Sequence, residues 1–195
     1  YHKIVRTAYR KFVMLVIVST IPTGVIGILF KDTVELAGTM LIVPGICLLI
    51  TSVFLVIADY ADEGTKRPRE ASYVNAGLIG VAQGIATMPG LSRSGTTITA
   101  CLLCGFEKKF AVKYSFIMSI PAVLGAVVLE LKDVAKAPLQ ASAVPACAVA
   151  TVISAIVGYL SICIMMRLIQ GKKYKIFAVY CAIVGLITVG YGIFR

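Results

Sequence analysis

With 195 residues, 59% of them hydrophobic and only 14% charged, and a mean hydropathy of +0.94, the chain lies far from the balance of a water-soluble domain. The length allows several spans of about 20 residues and little else, so composition implies one integral membrane domain over residues 1–195, an all-α polytopic bundle. The net charge of +10 is scattered over loops with no compact basic module behind it. That excludes nucleic-acid binding and reads as orientation signal and attraction to anionic lipid.

The chain opens on Tyr1 with no cleavable signal peptide, and the expectation is that it begins partway through a gene product. The only histidine, His2, lies in a basic stretch and reads as solvated surface. Apolar runs of spanning length then cover residues 12–30, 38–58, 110–131, 143–169 and 174–194, giving five spanning helices. In the first, Ile21-Pro22 with Gly27 and a closing Lys31-Asp32 is echoed in the third by Ile120-Pro121, Gly125 and Lys132-Asp133. The echo reads as a proline kink with a glycine contact for close helix packing. Tyr73, Tyr174 and Tyr191 at span ends read as interfacial anchors, and Met165-Met166 as packing. Six cysteines fall in apolar stretches as small hydrophobes, and the lone CxxC of Cys101 and Cys104 implies neither zinc nor a disulfide.

Between the second and third spans, residues 73–105 are too broken for one crossing and too short for two. They read as a re-entrant hairpin: a short helix, a non-helical turn near the midplane, and a second short helix returning to the same side, lining a cavity. Charge supports this. With the N-terminus inside, Lys3, Arg6, Arg10, Lys11, Lys66, Arg67, Arg69, Lys108, Lys109, Lys113, Arg167, Lys172, Lys173 and Lys175 fall on the cytoplasmic side, and only Lys31, Lys132, Lys136 and Arg195 outside. An ordinary single span over 73–105 would flip the last three helices, and the bias would largely vanish.

At the centre of the hairpin stands PGLSRSGTTI, residues 89–98. Pro89 ends the first short helix, and Gly90 and Gly95 permit positive backbone angles and close approach to a ligand. Ser92, Ser94, Thr96 and Thr97 supply hydroxyls, and a second helix starting near Ser94 would aim free amides into the cavity. With Arg93, these are the parts of an anion site. A central arginine costs about 2.5–3.5 kcal/mol on the lenient insertion scale, so an anion should repay it. All nine acids, from Asp32 to Asp133, sit in loops or at span ends, which points to a ligand or to a segment outside this chain. From these residues alone phosphate, chloride and carboxylate remain open.

GLIGVAQGIATMPGLSRSGTTIT at residues 77–99 resembles the second signature of the undecaprenyl-diphosphate phosphatases of the BacA (UppP) family. YSFIMSIPAVLGA at residues 114–126 and STIPTGVIGILFKD at residues 19–32 resemble neighbouring helices of that family, so the resemblance covers essentially the whole chain. It implies hydrolysis of undecaprenyl diphosphate to the monophosphate and inorganic phosphate in the bacterial inner membrane, recycling the peptidoglycan lipid carrier and conferring bacitracin resistance. It also implies a fold of two inverted repeats, each a re-entrant hairpin plus three spans. Carried onto matching positions, Arg93 clamps the diphosphate, Ser92 and Thr97 contact phosphate, and Ser94, Gly90 and Gly95 shape the turn. Thr96 adds a further hydroxyl, and Gln83 stands where the other repeat carries an acid. The family is associated with magnesium or calcium, whose ligands are not visible in this sequence. No oligomeric state is implied.

The family's first signature, an ExxxE helix followed by a turn bearing Ser and His, is absent. The hairpin is preceded by two spans and followed by three, so an inverted repeat needs about 70–80 more residues upstream. The expectation is an N-terminally truncated member whose 195 residues bind diphosphate weakly and do not turn it over. The competing class is transport, since broken helices meeting at the midplane could also move a lipid phosphate head group across the bilayer.

Overall fold

The computed structural model describes residues 2–61, 64–136, 144–170 and 174–194. It is all α-helical: α1 (His2–Leu29), α2 (Lys31–Thr39), α3 (Ile42–Tyr60), α4 (Tyr73–Ile85), α5 (Arg93–Leu103), α6 (Lys108–Lys136), α7 (Val144–Gln170) and α8 (Tyr174–Phe194). Five of these, within α1, α3, α6, α7 and α8, are long and apolar enough to cross a membrane. The second span starts at Ile42 rather than residue 38, because residues 31–39 form their own short helix and Met40 is extended. Pro44 falls in the first turn of α3, where a missing N–H costs nothing. Position 143, the expected start of the fourth span, and Lys172, Lys173 and Arg195 lie outside the described residues, as do the side chains of Lys132, Lys136, Met165 and Met166.

Close backbone contact organises the bundle, as it must where apolar surface faces lipid and association rests on van der Waals fit. A Cβ on Gly80 would stand 2.2 Å from the Ser19 carbonyl of α1, and one on Gly84 would meet Ile26. Both numbers rise together, so α4 runs parallel to α1. On the other flank Gly45 of α3 meets Val189 and Gly185 of α8 while Ser52 donates to the Ala178 carbonyl, an antiparallel pair. Tyr114 of α6 donates to the Leu15 carbonyl, and an aromatic cluster of Phe12, Phe106, Phe110 and Tyr114 fills the same end. At the glycines expected to make close contacts, Gly27 and Gly125, an added Cβ would have nothing within 4 Å among the described residues. Pro22 and Pro121 do lie inside their helices, but neither glycine meets another of the described elements. Tyr73 and Tyr191 are exposed, and Lys11 stands over the Tyr73 ring. Tyr174, expected at an interface, is instead buried at the start of α8 in the core.

Helices α4 and α5 form a hairpin whose two ends are fastened together. Lys66 N–H donates to the Gly105 carbonyl, Glu107 N–H donates to the Lys66 carbonyl, and Lys66 Nζ reaches the Cys104 carbonyl at 2.8 Å. Arg67 pairs with Glu107 at 2.9 Å across the same junction. Gly105, at φ +81°, supplies the left-handed residue that ends α5.

Candidate anion site

The turn between α4 and α5 is held by α3. Gly90 adopts φ +86°, and a Cβ there would come within 2.3 Å of the Pro44 carbonyl, so glycine is required twice over. Thr51, buried in α3, bridges the turn: its hydroxyl donates to the Gly90 carbonyl at 3.2 Å and accepts the Ser92 N–H at 2.9 Å. Thr51 is the tenth residue of the nineteen in α3, so Ser92 lies level with the middle of that span. Farther along α5, Thr99 donates to the Phe54 carbonyl of α3 at 3.0 Å.

Ser92 is the N-cap of α5, whose first helical residue is Arg93, beside the start expected near Ser94. Its Oγ accepts the Gly95 N–H at 3.1 Å and its carbonyl accepts the Thr96 N–H at 2.9 Å. Gly95 is therefore helical, not a turn residue with positive φ, and has Ser92 against it where a Cβ would go. The first-turn amides divide accordingly. Ser92 N–H is taken by Thr51 and Gly95 N–H by the cap, while Arg93 N–H and Ser94 N–H have no partner among the described residues. The Ser94 hydroxyl and the proton of the Ser92 hydroxyl are likewise uncommitted there. The Arg93 side chain is exposed and pairs with no carboxylate among the described residues. The expectation is that it lines a cavity; among the described residues its side chain is exposed.

The other expected residues lie off the turn. Thr97 is buried, its hydroxyl 2.8 Å from the Arg93 carbonyl and hydrogen-bonded to Ser115 of α6. Thr96 is buried with its hydroxyl unpartnered. Gln83, 1% exposed, faces α1 and α6 instead: Nε2 reaches Thr23 Oγ1 and the Met118 carbonyl at 3.4 Å each, and Oε1 has no protein partner. Thr23 donates in turn to the Gly80 carbonyl at 2.8 Å. Thr51 and Ser115 went unnoticed in the sequence. Thr51 had a signal, since Thr51-Ser52 is the only Ser or Thr in the run 42–60.

This set is made of donors. Two amides, two hydroxyls and a guanidinium belong to residues 92–94 at the N-terminus of α5, donor types suited to a phosphate or other anion. A divalent cation finds no fit in it, and among the described residues no three His, Cys, Asp or Glu side chains come together.

The family model described as bacitracin resistance protein BacA matches residues 2–187. An undecaprenyl-diphosphatase of Methanosphaera stadtmanae is 41% identical over 186 residues, covering 94% of this chain and 66% of its own length. Proteins of the same name from Halothermothrix orenii and Methanobrevibacter smithii are 39% and 42% identical, with 70% and 65% of their lengths covered. The chain thus spans about two thirds of the length of these relatives. Matched along nearly its whole length, with the donor-rich turn inside the matched region, the chain belongs to the BacA family.

Proposed function

We propose that this chain supplies the diphosphate-binding hairpin of an undecaprenyl-diphosphatase, an enzyme of the plasma membrane that cleaves undecaprenyl diphosphate to the monophosphate and inorganic phosphate, renews the peptidoglycan lipid carrier and confers bacitracin resistance. The single observation that carries this is the pair of free amides at Arg93 and Ser94 beside an unpaired Arg93 guanidinium. In the reaction, water adds to the terminal phosphorus, the bridging P–O bond breaks, and the lipid monophosphate leaves. Negative charge on the phosphoryl oxygens is what the protein must hold. The fork of Arg93 can take two of those oxygens, and the amides of Arg93 and Ser94 with the hydroxyls of Ser92 and Ser94 can take others. Thr97, through Ser115, braces the first turn of α5. Magnesium or calcium has no ligand set among these residues, and no step here depends on one.

The same proposal places α4 and α5 in the membrane as a re-entrant hairpin, one element of an inverted-repeat architecture. Support comes from the fastening of residues 66 and 106 at one end and from the level of Ser92 at mid-span. Non-helical backbone at that depth needs polar partners, and Thr51 provides them.

The test is phosphate release from undecaprenyl diphosphate in detergent micelles by the full-length gene product, with and without Arg93→Ala. Turnover that the substitution reduces by about a thousandfold, the scale of losing a charge-stabilising donor, supports the reading. Arg93-dependent binding of the lipid with no phosphate released would replace it with translocation of a lipid phosphate.

A further inference from the structure

The geometry points to Thr51 as the positioning residue of the anion site, the side chain that decides which amides of the turn face the ligand. This rests on the phosphate-binding reading of that turn.

Thr51 is 2% exposed and belongs to a different helix from every donor of the site. Its one hydroxyl uses both of its capacities on the turn: the proton goes to the Gly90 carbonyl and a lone pair to the Ser92 N–H. Those two groups flank Leu91, immediately before Arg93, and neither belongs to a regular helix. Without Thr51 these part-buried groups would turn to water or to each other, and the turn would lose its fixed orientation. By consuming Ser92 N–H, Thr51 also removes it from the set a ligand can use. What remains pointing forward is the adjacent pair Arg93 N–H and Ser94 N–H, with Arg93's side chain rooted in the same residue.

Three contacts show that this is a clamp rather than a stray hydrogen bond. Gly90 sits against the Pro44 carbonyl with no room for a Cβ, Leu55 lies at the distance of ordinary contact from a Cβ on Gly95, and Thr99 is tied to the Phe54 carbonyl. All come from the face of α3 that carries Thr51, so the backbone is held on both sides of it. Because α3 packs against α8 through Gly45 and Gly185, the clamp is anchored to a span outside the hairpin.

The experiment compares wild type, Thr51→Val, Thr51→Ser and Arg93→Ala in the full-length gene product. It reads KM and kcat for phosphate release from undecaprenyl diphosphate, the affinity for inorganic pyrophosphate, and the melting temperature in detergent. Valine keeps the shape and removes the hydroxyl; serine keeps the hydroxyl. The expected result is that Thr51→Val weakens pyrophosphate binding and raises KM by about tenfold, the scale of one lost bridging hydroxyl, and that Thr51→Ser returns both to within about twofold of wild type. If Thr51→Val does not survive extraction, Thr51→Ala, which removes the hydroxyl without risk of overpacking, takes its place. Valine values equal to wild type overturn the proposal, as does a serine variant as impaired as valine. A wild-type protein that neither binds pyrophosphate nor releases phosphate overturns instead the reading of the turn itself, and Arg93→Ala separates the two.

Discussion

Gly90 is the residue at which backbone conformation and packing make the same demand. An l-residue at φ +86° costs about 1–3 kcal/mol, and its Cβ would in addition strike the Pro44 carbonyl. Gly90→Ala should therefore lower the melting temperature in detergent and abolish pyrophosphate binding, because the turn must lift off α3 to admit the methyl. Gly77 supplies the control: it lies within α4 with nothing near its Cβ position, and Gly77→Ala should be neutral or stabilise by up to about 1 kcal/mol. Equal melting temperatures for the two variants would contradict the account. The need for glycine at 90 was legible from Pro89-Gly90 alone, whereas Gly95 was misassigned for a physical reason. The N-cap is the residue just before the first helical one; with Ser92 in that place, Gly95 falls in the first turn of α5 and its N–H goes to the Ser92 hydroxyl. Gln83 shows a different limit. The family resemblance singled it out on the hairpin's first helix, but only the packing of α4 on α1 and α6 decides that it meets Thr23 and the Met118 carbonyl.

At the scale of the element, α5 has two tasks at its N-terminus, and a substitution can separate them. Ser92 caps the helix through Gly95 N–H, and the same end presents amides to an anion. Ser92→Ala loses the cap, at a cost of about 1 kcal/mol. Ser92→Asp keeps a capping oxygen and even suits the helix dipole, yet it sets a fixed negative charge where the ligand's charge must lie. Ser92→Asp should accordingly melt close to wild type while its KM for undecaprenyl diphosphate rises at least tenfold, by an amount that shrinks with added salt. An aspartate variant with unchanged KM would show that the ligand does not sit at this end of α5. The same logic explains why Gly27 and Gly125 misled. Periodicity marks a glycine as small but not which neighbour, if any, its face meets; Gly45, Gly80, Gly84 and Gly185 make the close contacts. Tyr174 failed similarly, since position at a span end does not tell whether a ring faces the interface or the core that α8 joins.

Across the whole molecule, sequence charge and three-dimensional contact bear independently on which loops lie together. Counting Lys and Arg assigned residues 66–69 and 108–113 to one side before any contact was known, because the bias largely vanishes if they are parted. The contacts then join them: the Lys66 and Phe106 backbones bridge, Arg67 pairs with Glu107, and α4 runs parallel to α1 while α5 returns along α3. Depth and direction together make a topology that chemistry can read. In a background with its six cysteines replaced by alanine or serine, single cysteines at Glu70, Lys108 and Glu35 should divide two against one with a membrane-impermeant maleimide. Intact right-side-out cells or spheroplasts should label only the Glu35 position in α2, and inverted vesicles only the other two. A cysteine at Ser94 should resist labelling from the cytoplasmic side unless the reagent can enter as far as mid-span, and bound pyrophosphate should slow whatever reaction occurs. Labelling of Glu70 and Lys108 from opposite sides would mean that residues 73–105 cross the membrane once. The bridge between Lys66 and Phe106 could not then form, and the amides at Arg93 and Ser94 would lose the turn that aims them.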